Sequence, residues 1–169
     1  MANPVLYNNQ FSESWNNIYA IINSKTYISD PTTTASEFRK WIYSRDPDIK
    51  STDFGGYPFI VISPSTIDFG NEQTGNRQIK TLSYSFEIDV VTSDREINNR
   101  EGKGAVDNDA ISNDIVESFN NPTVANILAA NGLRLINPSS TAMGVELIGE
   151  TLVYRRSFLL TSINKKKVF

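Results

Sequence analysis

Hydrophobic positions recur along the chain with two different periods, and each period predicts its own kind of element. In KTLSYSFEIDVVTSD (80–94), Leu82, Tyr84, Phe86, Ile88 and Val90 alternate with Ser83, Ser85, Glu87, Asp89 and Val91. A period of two held for about ten residues predicts a half-buried β-strand, long against the usual ~5–6 residues. A second alternation lies in ETLVYRRSFLLTSI (150–163). There Leu152, Tyr154, Phe158 and Leu160 share one face with Arg156, and Val153, Arg155, Ser157, Leu159 and Thr161 share the other. With the two long strands as neighbours, Arg156 is expected to pair across to Glu87 or Asp89. Shorter strands are expected at 57–63 in GGYPFIVISP, and at 133–137 and 144–148 around the turn PSSTAMG.

The helical period appears elsewhere. Phe11, Trp15, Ile18, Tyr19 and Ile22 mark one face of an amphipathic helix from about Ser12 to Ser24. These aromatics could serve as a stacking platform, but a buried helix face is the simpler reading. Thr34 and Glu37 fit a capping box, predicting a second helix from about Ala35 to Ser44 with Phe38, Trp41 and Ile42 inward and Pro47 beyond its end. Ile111, Ile115 and Phe119 predict a third from about Asp107 to Phe119, and TVANILAAN (123–131) a fourth ending at Gly132. DFGNEQTGNRQ (68–78) reads as a turn or open loop. In 93–109, SDREINNREGKGAVDND, eight of seventeen residues are charged, which predicts a projecting polar loop. Residues 164–169, with KKK at 165–167, read as a solvated basic tail.

The order α, α, β, β, loop, α, α, β, β, β predicts an α+β fold, with a mainly antiparallel sheet of long strands covered by helices on at least one face. The 169 residues suit a single domain. Area scaling buries ~70% of the unfolded chain's surface, enough for a real core.

Composition narrows the chemistry. Sixteen basic and nineteen acidic residues leave a net charge of −3, unlike a generic nucleic-acid binder. There is no cysteine, hence no disulfide, thiolate metal site or cysteine nucleophile. There is no histidine, which removes the commonest general base and metal ligand and any Ser-His-Asp triad. MANPVLYNNQ carries no secretory signal pattern, and apolar runs such as FIVI (59–62) fall far short of the ~20 residues of a membrane span.

Searches for a catalytic pattern return little. Gly70 and Gly75 imitate the start of a phosphate-binding loop, but Asn76 and Arg77 stand where it needs Lys and Ser or Thr. A Mg²⁺-dependent PD-(D/E)xK-like nuclease could use Asp89 with Glu101-Gly-Lys103; PDIK at 47–50 holds another Asp-x-Lys. That Glu-x-Lys element sits between glycines in the polar loop, whereas the chemistry wants it on a rigid strand. Glu87 and Asp89, two apart on one strand, could chelate a cation; a solvated face or an inter-subunit ion pair is the plainer reading. No zinc finger, RNP motif or helix-turn-helix is visible, so neither catalysis nor sequence-specific nucleic-acid binding is expected.

Long antiparallel strands with open edges and a projecting loop suit an assembly part, and heterologous edge contacts that close by rotation give rings. The order of features resembles the tail terminator (tail completion) proteins of tailed bacteriophages. The resemblance runs over residues 9 to 163: an amphipathic first helix, a strand pair, a loop, a helix of the DNDAISNDIVESFNN kind and a closing strand like ETLVYRRSFLLTSI. The second helix with Phe38 and Trp41 departs from that pattern and leaves room for a related head-completion or neck protein. The resemblance implies a structural virion protein, made in the host cytoplasm, that forms a hexameric ring capping the tail tube. It implies the tail tube protein and a head-completion or neck protein as partners, no reaction and no cofactor. A tail tube or neck connector subunit is the structural alternative. Exposure and charge, rather than family motifs, nominate Arg95, Glu96, Arg100, Glu101 and Lys103 for partner or lumen contact, and Glu87, Asp89, Arg155 and Arg156 for subunit pairing.

Overall fold

The two long alternations lie side by side as the central strands of one sheet. The computed structural model describes residues 5–24, 26–31, 39–74, 77–94, 103–131 and 133–168. In chain order these form α1 (Val5–Ile22), β1 (Ile42–Tyr43), β2 (Phe59–Thr74), β3 (Arg77–Ser93), α2 (Gly104–Asn120), α3 (Pro122–Ala130), β4 (Leu135–Ser140), β5 (Gly144–Ile148) and β6 (Thr151–Val168). The sheet runs β1-β2-β3-β6-β4, and β5 also pairs with β6. Every pairing is antiparallel except the short β1–β2 contact. The fold is α+β.

Period-two alternation sorts the strands into two faces. Ile60 and Ile62 of β2, Tyr84, Phe86, Ile88 and Val90 of β3, and Phe158 and Leu160 of β6 are buried in one cluster. Against them pack Ile18 and Ile22 of α1, Ile111, Ile115 and Phe119 of α2, and Val124 and Leu128 of α3. Each such side chain contributes about 1.5–3 kcal/mol on leaving water. Trp15 Nε1 adds a hydrogen bond to the Ile62 carbonyl at 3.1 Å, tying α1 to β2. The opposite face holds a smaller cluster: Phe59, Val61, Val91 and Val153, covered by Tyr43, Tyr57 and Phe54 from the chain before β2.

Several local expectations are corrected. α1 begins at Val5, well before Ser12. The chain at 39–43 is not helical: Ile42 and Tyr43 pair with Ile60 and Val61 as β1. Trp41 and Ile42 are buried as expected, but from extended backbone, because β-branched and aromatic residues beside an open strand edge favour pairing over a lone helix turn. Thr34, Glu37 and Phe38 lie outside the described residues. The segment 68–78, read as a loop, is instead strand through Thr74 and from Arg77, with Gly70 opposite Thr81 and Thr74 opposite Arg77. A two-residue connection, Gly75-Asn76, separates them; such a dipeptide is a hairpin signal that outranks polar composition.

The basic run at 165–167 is no free tail, since Lys165, Lys166 and Lys167 stand opposite Thr81, Lys80 and Ile79 in the ladder. β4 and β5 do not form a hairpin with each other. They follow one another along the same edge of β6, β4 opposite Phe158–Ser162 and β5 opposite Thr151–Arg155. The β5–β6 turn is Gly149-Glu150, where Gly149 takes φ +64°, a left-handed value that glycine adopts without steric cost.

The β1 side of the sheet is finished by a knot around Arg39. Its Nε meets Asp30 Oδ2 at 2.6 Å with both side chains largely buried. Its Nη1 donates to the carbonyls of Gly55 and Gly56, at 3.1 and 2.8 Å, and its Nη2 to that of Pro58. A side chain at Gly55 would fall on the Lys40 carbonyl, so the segment before β2 is held hard against the one before β1.

Candidate functional site

Of the charges expected on the central strands, period-two geometry brings Asp89 and Arg155 together, with Ser157 beside them. Asp89 of β3 stands directly opposite Ser157 of β6, and Arg155 opposite Val91, all on the face away from the helices. Arg155 Nη1 donates to Asp89 Oδ2 at 2.9 Å, and Ser157 Oγ donates to Asp89 Oδ1. Arg155 Nη2 reaches Asp46 Oδ1 at 2.8 Å, so one guanidinium ties the segment before β2 to the centre of the sheet. Partial burial works against its charge, but the hydrogen bonds and attraction of Asp46 and Asp89 outweigh that and raise its pKa further.

The expected Arg156 contact with Glu87 or Asp89 is corrected. Arg156 lies on the helix side and pairs with Asp109 of α2 at 2.7 Å. The sequence held the signal: Arg156 shares its face with Phe158 and Leu160, while Asp89 sits on the other face with Arg155. Glu87 is exposed. Thus Asp89 and Arg155, nominated for contacts between subunits, pair with each other inside one chain.

Beside this cluster lies a groove of about 550 Å³, floored by Tyr57, Phe59, Val91 and Val153 and bordered by Ile148 and Arg155. The β5–β6 hairpin borders the same region, and its apolar side chains are unusually bare. Val145 exposes 57% and Leu147 65%, with Ile148 and Leu152 near two-fifths.

The span 93–109, expected as a loop, is strand at its first residue and helix from Gly104. Ser93 ends β3 and Gly104 already begins α2, whose first turn includes the buried Asp107. Arg95, Glu96, Arg100 and Glu101 lie outside the described residues; Lys103 is exposed, one residue before the helix. The two stems of the loop are joined by Asp94. Its Oδ1 accepts from the Gly104 N–H at 2.8 Å, doing the work of a helix cap, and its Oδ2 accepts from the Tyr154 hydroxyl at 2.8 Å. That hydrogen bond first, then burial and the charge of Asp94, raise the Tyr154 pKa above its usual value. One turn on, the fully buried Asn108 donates from Nδ2 to the carbonyls of Val90 and Tyr154, at 3.0 and 3.3 Å. Neither Asp94 nor Asn108 stood out in the sequence, because a single polar residue at a strand end or helix start has no pattern of its own.

For the carboxylate–lysine chemistry, Asp89 has both oxygens engaged, one by Arg155 and one by Ser157. Among the described residues no group of three or more His, Cys, Asp or Glu side chains is placed to hold a metal ion. No described helix is long and apolar enough to cross a membrane. No protein-family model matches the chain, and no curated protein is significantly similar to it.

Proposed function

We propose that the protein is a structural assembly subunit that closes into a ring, acting as a tail terminator between the tail tube and the head or neck of a tailed bacteriophage. The observation that carries this reading is the bare β5 edge, a strand with all five residues exposed at the rim of a sheet whose central strands run to 16, 17 and 18 residues. A strand edge with exposed Val145 and Leu147 is an aggregation hazard for a free monomer and an asset for a part made to be covered. The engagement of Asp89 by Arg155 and Ser157 supports the same reading, since it occupies the carboxylate that the carboxylate–lysine alternative needs. Ring closure, the tail tube and neck partners, and a role without reaction or cofactor come from the resemblance. The polar loop between Asp94 and Gly104, with Lys103 at its end, is the partner-facing element.

The test is the solution mass of the purified chain across concentration and salt, with the largest species imaged and tail tubes added in parallel. A closed ring of about six copies, alone or only on tubes, is the expected result. Charge reversal at Arg100 and Lys103 should weaken attachment to tubes without lowering the melting temperature. Open filaments would move the reading to a tube subunit. A monomer that ignores tubes and cleaves DNA with Mg²⁺ would overturn it.

A further inference from the structure

Sheet edges in free proteins are blunted by charges, prolines, bulges or covering segments, because unpaired N–H and C=O groups template further strands. Three stretches of edge in this molecule differ on that score. β2 carries β1 against Ile60 and Val61 and an irregularity between Pro64 and Thr66. β4 contains Pro138 and a register shift between Ile136 and Ser139. β5 has the single charge of Glu146 and no other such device. Its five residues run in unbroken register with β6, contain no lysine, arginine or proline, and are all exposed. Val145 and Leu147 stand opposite Tyr154 and Leu152, so Leu147 and Leu152 make one apolar patch beside the open edge.

We infer that this edge is covered by a second copy of the chain, which adds the outer edge of its β2 as an antiparallel strand. Direction is the first reason. β2 and β6 both run antiparallel to β3, and β5 runs antiparallel to β6. A second copy set beside β5 with its helices on the same side of the sheet therefore presents β2 antiparallel to β5, the more stable kind of pairing. Availability is the second. Among the described residues β2 pairs beyond Val61 only with β3; the Ile62 carbonyl takes the Trp15 indole, and past it the outer edge stays open to Thr74, a longer run than β5 needs. Charge is the third. Joining β5 to β5 about a two-fold axis, in the register that pairs all five residues, sets Glu146 against Glu146, and like charges directly opposite oppose pairing.

Because the two copies use different surfaces, the contact repeats and either closes into a ring or runs on as a filament. It deepens the ring reading above by naming the surface through which a ring is built. Gly144 is level with Phe59, through Arg155 and Val91, whereas the open stretch of β2 begins past Val61. Successive copies are therefore stepped along the strand direction, the offset that tilts strands in closed barrels.

The experiment is sedimentation of the full chain, with and without tail tubes, for wild type, Leu147→Lys, Val145→Lys and the control Val116→Lys, which alters an exposed apolar position on α2. Amide exchange across 144–148 and 62–74 is read on the same samples. Wild type and the α2 control should assemble with slowed exchange in both stretches. The two β5 variants should remain monomeric with unchanged circular dichroism and melting. Rings that persist in both β5 variants overturn the edge contact and leave the ring reading standing. Filaments lost in Leu147→Lys uphold the edge contact and overturn the ring. A discrete dimer lost in Leu147→Lys means a two-fold β5 contact and overturns the β2 assignment. A wild type that is monomeric everywhere, on tubes included, overturns both.

Discussion

The two sides of the sheet are finished in opposite ways. On the β1 side, Ile42 and Tyr43 are buried, and Arg39 gathers the carbonyls of Gly55, Gly56 and Pro58 while its charge is met by Asp30. At the far side, β5 offers Val145 and Leu147 to solvent with Glu146 as its one charge and no proline to guard them. Hydrogen-bonding groups are satisfied within the chain around β1 and Arg39 and left over along β5. The difference teaches where stability resides and where association is to be sought: a substitution at the knot should unfold, and one at β5 should only separate copies.

Arg39→Ala is the severest way to break the comparison. It takes the guanidinium away from Asp30 and three carbonyls, and loss of one partner of a largely buried pair costs about 3–5 kcal/mol. A fall in the urea midpoint of corresponding size checks it; an unchanged midpoint would mean the knot holds nothing. Between the two sides, Asp89→Ala removes the acceptor shared by Arg155 and Ser157 at the centre of the sheet. Loss of charge-assisted hydrogen bonds there should cost about 2 kcal/mol, readable in the same titration. Leu147→Lys, on the bare edge, should change monomer stability by no more than ~0.5 kcal/mol, because it alters an exposed position and leaves the backbone pairing of β5 with β6 in place.

The smallest effect belongs to the link between Tyr154 and Asp94. A phenol whose folded pKa is raised contributes its stabilisation in full below the ordinary tyrosine range and loses it as pH rises through the raised value. Wild type and Tyr154→Phe should therefore differ at neutral pH, and the gap should close above about pH 10. Thermal melts of the two proteins across that range test the sign. A gap that stays constant would show that the hydroxyl does not depend on Asp94.

Much of the architecture was readable from period alone. Tyr84, Phe86, Ile88 and Val90 fall on one buried face, as do Phe158 and Leu160, and Ile111, Ile115 and Phe119 turn inward from α2. The partner of Asp89 was legible too, had the faces been compared, because Arg155 and not Arg156 shares its side. Where reading went astray, long-range pairing outweighed local preference. Ile42 and Tyr43 join β2 rather than a helix, and the polar residues 68–74 are strand because β3 satisfies their backbone.

The sequence by itself determined the α+β class, the two long central strands, the apolar face of each and the absence of histidine and cysteine chemistry, since periodicity and composition are local properties of the chain. Only the tertiary structure decided which stretch of edge is closed and which is left bare. That outcome depends on Arg39 reaching residues 16 to 19 positions away and on β4 and β5 sharing one side of β6. No local pattern encodes contacts of that kind; they exist once the sheet has formed and its unpaired groups have found, or failed to find, a partner.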